Sequence, residues 1–195
     1  MKIEEIQVAF NSDPDGFVAH LGEKLGITAI DCEVVQGNQV FDNLVSFLPA
    51  FLFDHPLLTG NQSAILTGCE YEHGYSLRLL NSVTLELAEG SCIQFGPGHK
   101  ESIEIIILYV VPEHQRLGIG TYLMYMLFAL MSLSGEWPTI TINVTDQISD
   151  GATVVDTCTD VQVRFFKSFG FRAIFKDEKI CKLIRPAGQE FFSKL

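Results

Sequence analysis

Apolar residues near the start of the chain follow first the spacing of a strand and then that of a helix. The segment Ile3–Phe10 has strand character and ends at the turn-rich sequence NSDPDG. Helical spacing follows at Phe17, Val18, Leu21 and Leu25. A second strand is predicted over Ala29–Val35, so the chain is expected to begin as strand, helix, strand.

A very apolar segment, Phe41–Phe53, comes next. Because proline disrupts a helix from within, this segment predicts one or two short helices bent near Pro49. The longer stretch Phe41–Leu58 has three candidate roles: core, the contact of a homodimer, or one wall of a substrate pocket. The pattern from Gly60 to Leu80 favours neither helix nor strand.

The second half of the chain carries sharper signals. Val83–Leu87 and Cys92–Phe95 flank the short turn AEGS, which is typical of a β-hairpin. The run Ile103–Val111 is almost purely aliphatic and β-branched, as expected of a central strand buried on both faces. Thr121–Leu133 is apolar nearly all round, which predicts a buried helix.

The remaining elements complete an alternating pattern. Thr139–Val144 alternates as a strand, and Asp160–Phe169 has a helical apolar stripe that Gly170 can end as a C-terminal cap. Phe171–Phe175 and Ile180–Ile184 flank KDEK and predict a closing hairpin. Since no repeat or low-complexity linker interrupts the sequence, we predict one α/β domain.

Size and composition agree with a globular protein that has a substantial core. The chain has 195 residues, of which 47% are apolar. Its longest apolar runs, Tyr122–Met131 and Leu44–Phe53, fall short of the roughly 20 residues that span a bilayer, so no membrane partner is expected. The N-terminal sequence has neither a basic segment before an apolar run nor a small-residue cleavage site, which indicates a cytoplasmic protein.

Charge and metal-ligand spacing argue against several classes of function. The net charge of −11 disfavours nucleic acid as a partner, because such binding relies on Lys and Arg to neutralise phosphates. The same charge would attract cationic substrates such as amines. Five scattered cysteines without a CxxC pair suit neither a disulfide framework nor a zinc site, and no metal-ligand spacing connects His20, His55, His73 and His99. No metal is therefore predicted.

The stretch VVPEHQRLGIGTYLM, which starts at Val110, joins the central strand to the buried helix. The first N–H groups of a helix lack intrahelical partners and carry partial positive charge, so this junction suits an anion. Gly118 and Gly120 would let a phosphate lie directly against the backbone, with Arg116 as a cation at the rim. Position 123 is Leu where a dinucleotide fingerprint needs a third glycine, and no GK[ST] sequence is present, so neither a Rossmann site nor a P-loop is predicted.

The same stretch resembles the acyl-CoA-binding motif of the GCN5-related N-acetyltransferases (the GNAT family), L-x-V-x-P followed by Q/R-x-x-G-x-G/A. The matching positions are Leu108, Val110, Pro112, Gln115, Gly118 and Gly120. The family signature Y-E-K-L-G-F has a counterpart in FFKSFGF at residues 165–171. The resemblance implies the GNAT acyl-CoA acyltransferase fold, a mixed central sheet flanked by helices.

The resemblance also implies a division of labour within one domain, residues 1–195. Residues 1–82 would be the family-variable part on the acceptor side, residues 83–185 the acyl-CoA-binding core, and residues 186–195 a tail. The cosubstrate would be acetyl-CoA, with its pyrophosphate on the turn and its pantetheine arm paired with the strand end like an extra half-strand. The implied contacts are Leu108, Val110, Val111, Gln115, Arg116, Leu117, Gly118, Ile119, Gly120 and Thr121.

The reaction that the resemblance implies is attack of a primary amine, on a small molecule or a peptide, on the acetyl thioester. A lysine-like amine with a pKa of about 10.4 is neutral in only about one molecule in 2500 at pH 7, so the site needs a general base. The thioester oxygen, which gains charge in the transition state, also needs a donor, and a strand N–H near Val110 is the family's usual one.

Glu104 is the candidate catalytic base. It is the only carboxylate within an apolar strand, and it lies eleven residues before Gln115, where histone-type members of the family carry their glutamate. In the alternative reading, Glu104 marks the solvent-facing start of the strand, with Glu101 beside it.

Three positions depart from the family pattern, and at two of them Thr159 and Gln162 stand where the family often has asparagine and alanine. The tyrosine that commonly protonates the leaving thiolate would fall at position 166, where Phe166 has no hydroxyl to donate. The sequence thus leaves open an active N-acetyltransferase, and a catalytically degenerate member that binds acyl-CoA or a protein partner without turnover. A third hypothesis is an acidic interaction or inhibitor protein that retains only the fold. Glu104 favours catalysis, whereas Phe166 argues against the family's usual version of it.

Overall fold

The computed structural model describes residues 13, 16, 19, 30–35, 37–71, 74–145, 157–176 and 180–188. The strand predicted at Ile3–Phe10 and the apolar stripe from Phe17 to Leu25 lie outside these residues. In chain order the described elements are β1 (Ile30–Val35), α1 (Gln39–Asp54), β2 (Leu58–Tyr71), β3 (Gly74–Leu87), β4 (Cys92–Pro97), β5 (Ser102–Tyr109), α2 (Ile119–Ser134), β6 (Thr139–Thr145), α3 (Thr157–Lys167), β7 (Arg172–Lys176) and β8 (Ile180–Arg185). A 3-10 turn, Pro112–His114, precedes α2.

The strands form one mixed sheet, as predicted. Their order is β1-β3-β4-β5-β6-β8-β7, and β2 also pairs with β3. The pairs β1 with β3 and β5 with β6 are parallel, and the other pairs are antiparallel. Strand β5 lies in the middle of this order, so the aliphatic run is confirmed as a central strand. Its predicted burial on both faces is wrong for the second half, where Ile107 and Tyr109 are 46% and 47% exposed.

One hydrophobic core joins the three helices to the sheet. Helix α2 contributes the largest group of buried side chains: Leu123, Met124, Leu127, Phe128, Leu130 and Met131. This degree of burial confirms the prediction made from its apolar sequence. No helix in the described segments combines the length and apolar content needed to cross a bilayer.

Helix α1 is a single helix of 16 residues, not two short ones. Asn38 begins it, because its side-chain oxygen accepts a hydrogen bond from the N–H of Phe41 at 2.8 Å. Pro49 lies inside the helix on its exposed side, where water can reach the carbonyl that proline leaves without a donor. The buried residues of the helix are Phe41, Leu44, Leu48 and Phe51. Core is therefore the role that the structure supports for this face.

The segment without a clear pattern forms two long antiparallel strands. β2 and β3 have 14 residues each, and their register runs from Leu58 opposite Leu87 to Tyr71 opposite Gly74. The hairpin predicted around AEGS is confirmed by the antiparallel pairing of β3 with β4. The closing hairpin is confirmed as well, since β7 pairs with β8.

Gly170 ends helix α3, as predicted. Its φ of +86° is in the left-handed region, where glycine has no steric cost. The N–H of Phe171 then reaches back to the carbonyl oxygen of Phe166 at 3.3 Å, which is the hydrogen bond of a Schellman cap.

Arg185, at the end of β8, is a buried cation in this core. Arg185 is 2% exposed. Its guanidinium carbon lies 4.8 Å from the ring centre of Phe128 and 5.6 Å from that of Trp137. Its Nε donates a hydrogen bond to the carbonyl oxygen of Phe169 at 3.1 Å. Desolvation by burial lowers the pKa of Arg185. The side chain thus connects α2, the end of α3 and the sheet.

Candidate functional site

Strands β5 and β6 separate shortly after they meet. Their pairing runs only from Ser102 opposite Thr139 to Ile105 opposite Ile142. Beyond that point, β5 keeps β4 as its partner among the described strands, while β6 continues along β8. A gap therefore opens beside the second half of β5, and we call it the β5–β6 gap.

Main-chain groups of β5 and of Val110, which follows it, face this gap. The N–H of Val111 donates to the buried Oγ of Ser91 at 3.1 Å, in the turn of the β3–β4 hairpin. Because neighbouring residues of an extended chain direct their N–H groups to opposite sides, those of Val110 and Leu108 point towards the gap. The N–H groups of Leu108 and Val110 thus lie on the gap side, and that of Val111 lies on the β4 side. The cosubstrate contacts expected of these three residues stay predictions.

The turn before α2 presents further backbone donors. Arg116 has φ +65° and Gly118 has φ +86°, so two left-handed residues alternate with ordinary ones, as in an anion-binding nest. Across the part of the chain that the structure describes, no acceptor is hydrogen-bonded to the N–H groups of Gly118, Ile119, Gly120 and Thr121. The left-handed conformation of Arg116 costs about 1–3 kcal/mol, which marks the turn as a functional candidate.

The side chains of Gln115 and Leu117, two of the predicted contact residues, point in different directions. Gln115 folds back, and its Nε2 donates to the carbonyl oxygen of Val110 at 3.3 Å, so this side chain closes part of the gap. Leu117 projects outwards and is 69% exposed. Arg116 is exposed at the turn, and its expected role as a cation beside phosphates stays a prediction.

A phenylalanine ring lies beside the turn. A Cβ placed on Gly120 would be 3.5 Å from Cζ of Phe165 and 3.6 Å from Cγ2 of Val110. Phe166, at the position where the resemblance implies tyrosine, is 4% exposed and packs against Phe171 with ring centres 5.5 Å apart. Neither ring carries a hydroxyl, so this part of α3 supplies no proton donor.

Glu104 lies where the two strands separate. It is opposite Thr141, one residue before the last β5–β6 pair. Its side chain is 17% exposed, with Oε2 2.7 Å from Nη1 of Arg78, and Nδ2 of Asn143 donates to Oε1 at 3.3 Å. The reading of Glu104 as a solvent-facing strand start is therefore not supported. Sequence reasoning missed Arg78 and Asn143, because they lie on other strands and no local pattern links them to Glu104.

Cys92 lies on β4, opposite Tyr109 of β5. Burial, and secondarily the nearby carboxylate of Glu86, raise the pKa of its thiol. The thiolate, which is the nucleophilic form, is thereby disfavoured. Among the described residues, no group of three His, Cys, Asp or Glu side chains could hold a metal ion.

An open cavity of about 510 Å³ lies elsewhere, between α1 and the C-terminal half of α2. Its lining residues are Phe51, Asp54, His55, Ala129, Ser132 and Leu133. Ala129 is about 16 Å from Gly118 along the helix axis. The cavity is thus separate from the turn and the β5–β6 gap, and we place the candidate site at the latter two because main-chain donors and Glu104 are there.

Residues 86–171 match the model of the acetyltransferase (GNAT) family. No curated protein matches the chain in sequence.

Three similar solved structures are acetyltransferases from prokaryotes. The PaiA N-acetyltransferase of Thermoplasma acidophilum, in complex with coenzyme A, is 16% identical, with 54% of this chain and 59% of that chain covered and a TM-score of 0.40. An acetyltransferase of Bacillus subtilis, in complex with CoA, is 15% identical, with coverages of 55% and 76% and a TM-score of 0.38. A GNAT acetyltransferase of Elizabethkingia anophelis, with acetyl-CoA bound, is 13% identical, with coverages of 67% and 98% and a TM-score of 0.41.

Proposed function

We propose that this protein is an N-acetyltransferase that transfers an acetyl group from acetyl-CoA to a primary amine by direct attack, because residues 86–171 match the model of the acetyltransferase (GNAT) family. The observation that carries the proposal is the set of unbonded N–H groups at Gly118 to Thr121, at the start of α2. A pyrophosphate satisfies both their hydrogen-bonding capacity and the positive end of the helix dipole.

The open edge of β5 would hold the pantetheine arm. The amides of the pantetheine arm can pair with main-chain groups of Leu108 and Val110 in the manner of an added strand. The hydrogen bond from Gln115 to the carbonyl of Val110 would give way to the ligand. Arg116 is exposed at the turn and would add a cation beside the phosphates.

Bond formation and bond breaking then place three requirements on the protein. The amine nitrogen attacks the thioester carbon, the C–S bond breaks, and the thiolate leaves. A lysine-like amine needs about 4.6 kcal/mol to lose its proton at pH 7, which a base can help to offset. The developing oxyanion needs a fixed donor, and the thiolate needs a proton from water or an acid.

Glu104 is the proposed base, and its position restricts where the thioester lies. A base acts at hydrogen-bond distance or through one water. Val110 is about 20 Å from Glu104 along an extended strand, and Leu108 about 13 Å. The Glu104 side chain, one water, the amine and the thioester carbonyl can together bridge the shorter of these distances but not the longer. We therefore propose the N–H of Leu108, rather than that of Val110, as the oxyanion donor.

The acceptor class follows from charge. The net charge of −11 and the carboxylate at the gap favour an acceptor that approaches as a cation, on a small molecule or a peptide. Among described residues, Glu104 is the carboxylate at the separation of β5 and β6, where such an amine would meet the thioester.

A second candidate function has its own support. Phe165 and Phe166 offer no hydroxyl to the leaving thiolate, and Glu104 already has an arginine partner. These features suit a protein that binds acyl-CoA, or a protein partner, without turnover. The two candidates therefore differ in turnover rather than in cosubstrate binding.

A turnover screen separates them. Release of free thiol from acetyl-CoA should rise above the no-acceptor control with at least one member of a panel of polyamines, amino acids, aminoglycosides and peptides. The acetylated amine, identified by mass spectrometry, confirms transfer rather than hydrolysis. Binding of CoA without thiol release across the panel would favour the second candidate.

Gly120→Val should weaken CoA binding at the turn. The space next to Gly120 accepts one carbon in ordinary contact with Phe165, but the branched side chain would extend over the backbone donors. We expect the Kd for CoA, measured by calorimetry, to rise about tenfold or more, equivalent to about 1.4 kcal/mol. Gly120→Ala, the matched control, should stay within about threefold of the parent. An unchanged Kd in the Val variant would show that the pyrophosphate lies elsewhere.

A further inference from the structure

Arg78 connects the N-terminal part of the chain to Glu104. It lies on β3 opposite Glu33 of β1, and its Nε is 3.8 Å from Oε2 of Glu33. The contact with Glu104 is shorter, at 2.7 Å, and less exposed, since the Glu33 side chain is 71% exposed and that of Glu104 is 17%. A short charge-assisted hydrogen bond away from water is the stronger of the two.

The two oxygens of Glu104 have different surroundings. Oε2 is held by the guanidinium, whereas the partner of Oε1 within the described residues is the amide of Asn143 at 3.3 Å. A carboxylate has about four lone-pair positions, so Oε1 can still accept a hydrogen bond from an amine. Asn143 is the first residue of β6 beyond its pairing with β5. Oε1 is thus the oxygen on the side of the β5–β6 gap.

We infer that Arg78 is a positioning residue that fixes Oε2 of Glu104 and thereby presents Oε1 to the acceptor amine. The inference rests on the proposed function, in which Glu104 takes the proton of the amine. Arg78 acts through Glu104 and touches neither the cosubstrate nor the amine. A strand of the acceptor-side part, residues 1–82, thus completes the catalytic arrangement of the core.

Loss of Arg78 would affect orientation rather than cosubstrate binding. Without the guanidinium, the Glu104 side chain can rotate, and Oε1 faces the gap for only a fraction of the time. Misplacement of a catalytic group by about 1 Å can cost about 100-fold in rate. The turn and the edge of β5 do not involve Arg78, so the affinity for acetyl-CoA should be retained.

The test compares the kinetics of the parent protein with those of Arg78→Ala and Arg78→Lys. We expect Arg78→Ala to lower kcat about 100-fold while KM for acetyl-CoA stays within about twofold, and Arg78→Lys to lose less. Methylguanidine added to Arg78→Ala should restore part of kcat, because the partly exposed site can admit it. Arg172→Ala, on the exposed side of β7, is the control and should match the parent.

Each outcome bears on one proposal in particular. Parent-like kcat in Arg78→Ala would overturn the positioning role and leave the proposed function intact. A loss of kcat that comes with loss of CoA affinity, and that methylguanidine does not restore, would assign Arg78 a structural role and also overturn it. If Arg78→Ala does not fold, Arg78→Gln takes its place, and an unchanged kcat in that variant overturns the inference whereas a reduced kcat with retained affinity for acetyl-CoA supports it. Absence of turnover in the parent overturns the proposed function, and the inference with it.

Discussion

Arg185→Ala is expected to lower the free energy of unfolding by about 3 kcal/mol, the largest stability effect that we predict for a single substitution. The change removes the contacts with the rings of Phe128 and Trp137 and the hydrogen bond to Phe169. Because Arg185 is 2% exposed, its replacement by alanine also leaves a cavity in the core. Urea unfolding followed by fluorescence of Trp137, the single tryptophan, measures the effect.

Arg185→Met is the matched variant. Methionine retains much of the apolar contact and removes the need to bury a charge, so its cost should be within about 1 kcal/mol. Equal destabilisation by both variants would show that the charge, rather than the packing, stabilises this part of the core. No destabilisation by Arg185→Ala would contradict the burial itself.

Glu104→Gln is expected to lower kcat about 100-fold or more, the largest effect on activity. Glutamine has the same shape and retains an oxygen for Arg78, but it cannot take a proton from the amine at neutral pH. The Kd for CoA, measured by calorimetry, should not change, because the turn at Gly118 is separate from Glu104. A loss in kcat and kcat/KM alike, with unchanged cosubstrate binding, is the result of removing a transition-state interaction.

Glu101→Gln provides the control for this substitution. Glu101 precedes β5 and is exposed, so its replacement removes the same charge from nearly the same region. Parent-like activity in Glu104→Gln would remove Glu104 from the role of base. An equal loss in both variants would point to the field of the acidic surface rather than to proton transfer.

The sequence predicted those elements whose signals are local. The AEGS turn, the aliphatic run of β5 and the glycine after α3 each determine structure within a few residues, and the pairing and cap confirm them. The turn before α2 was likewise predictable, because its two glycines and the helix start are adjacent in sequence.

Elements that depend on distant partners were missed. Strand β2 has exposed polar residues, Thr59, Asn61, Gln62 and Ser63, and thus no clear apolar alternation of its own. It is a strand because β3 pairs with its full length. The continuity of α1 through Pro49 has a similar cause, since burial of its apolar face outweighs one missing hydrogen bond.

Two features of the site lie beyond sequence patterns. Arg78 and Glu104 are 26 positions apart on strands that are not neighbours in the sheet, so only the folded arrangement brings them to 2.7 Å. The left-handed φ of Arg116 is unusual for a residue with a Cβ, and an arginine in the sequence does not indicate it.

The β5–β6 gap affects how this site can change in evolution. Its donors and acceptors at Leu108 and Val110 belong to the peptide backbone, so every amino acid except proline would supply the same groups. Under the proposed function, recognition there would depend on the path of the chain rather than on residue identity. Substitutions could change the surrounding side chains, and with them the choice of acceptor, without removing these hydrogen-bonding groups.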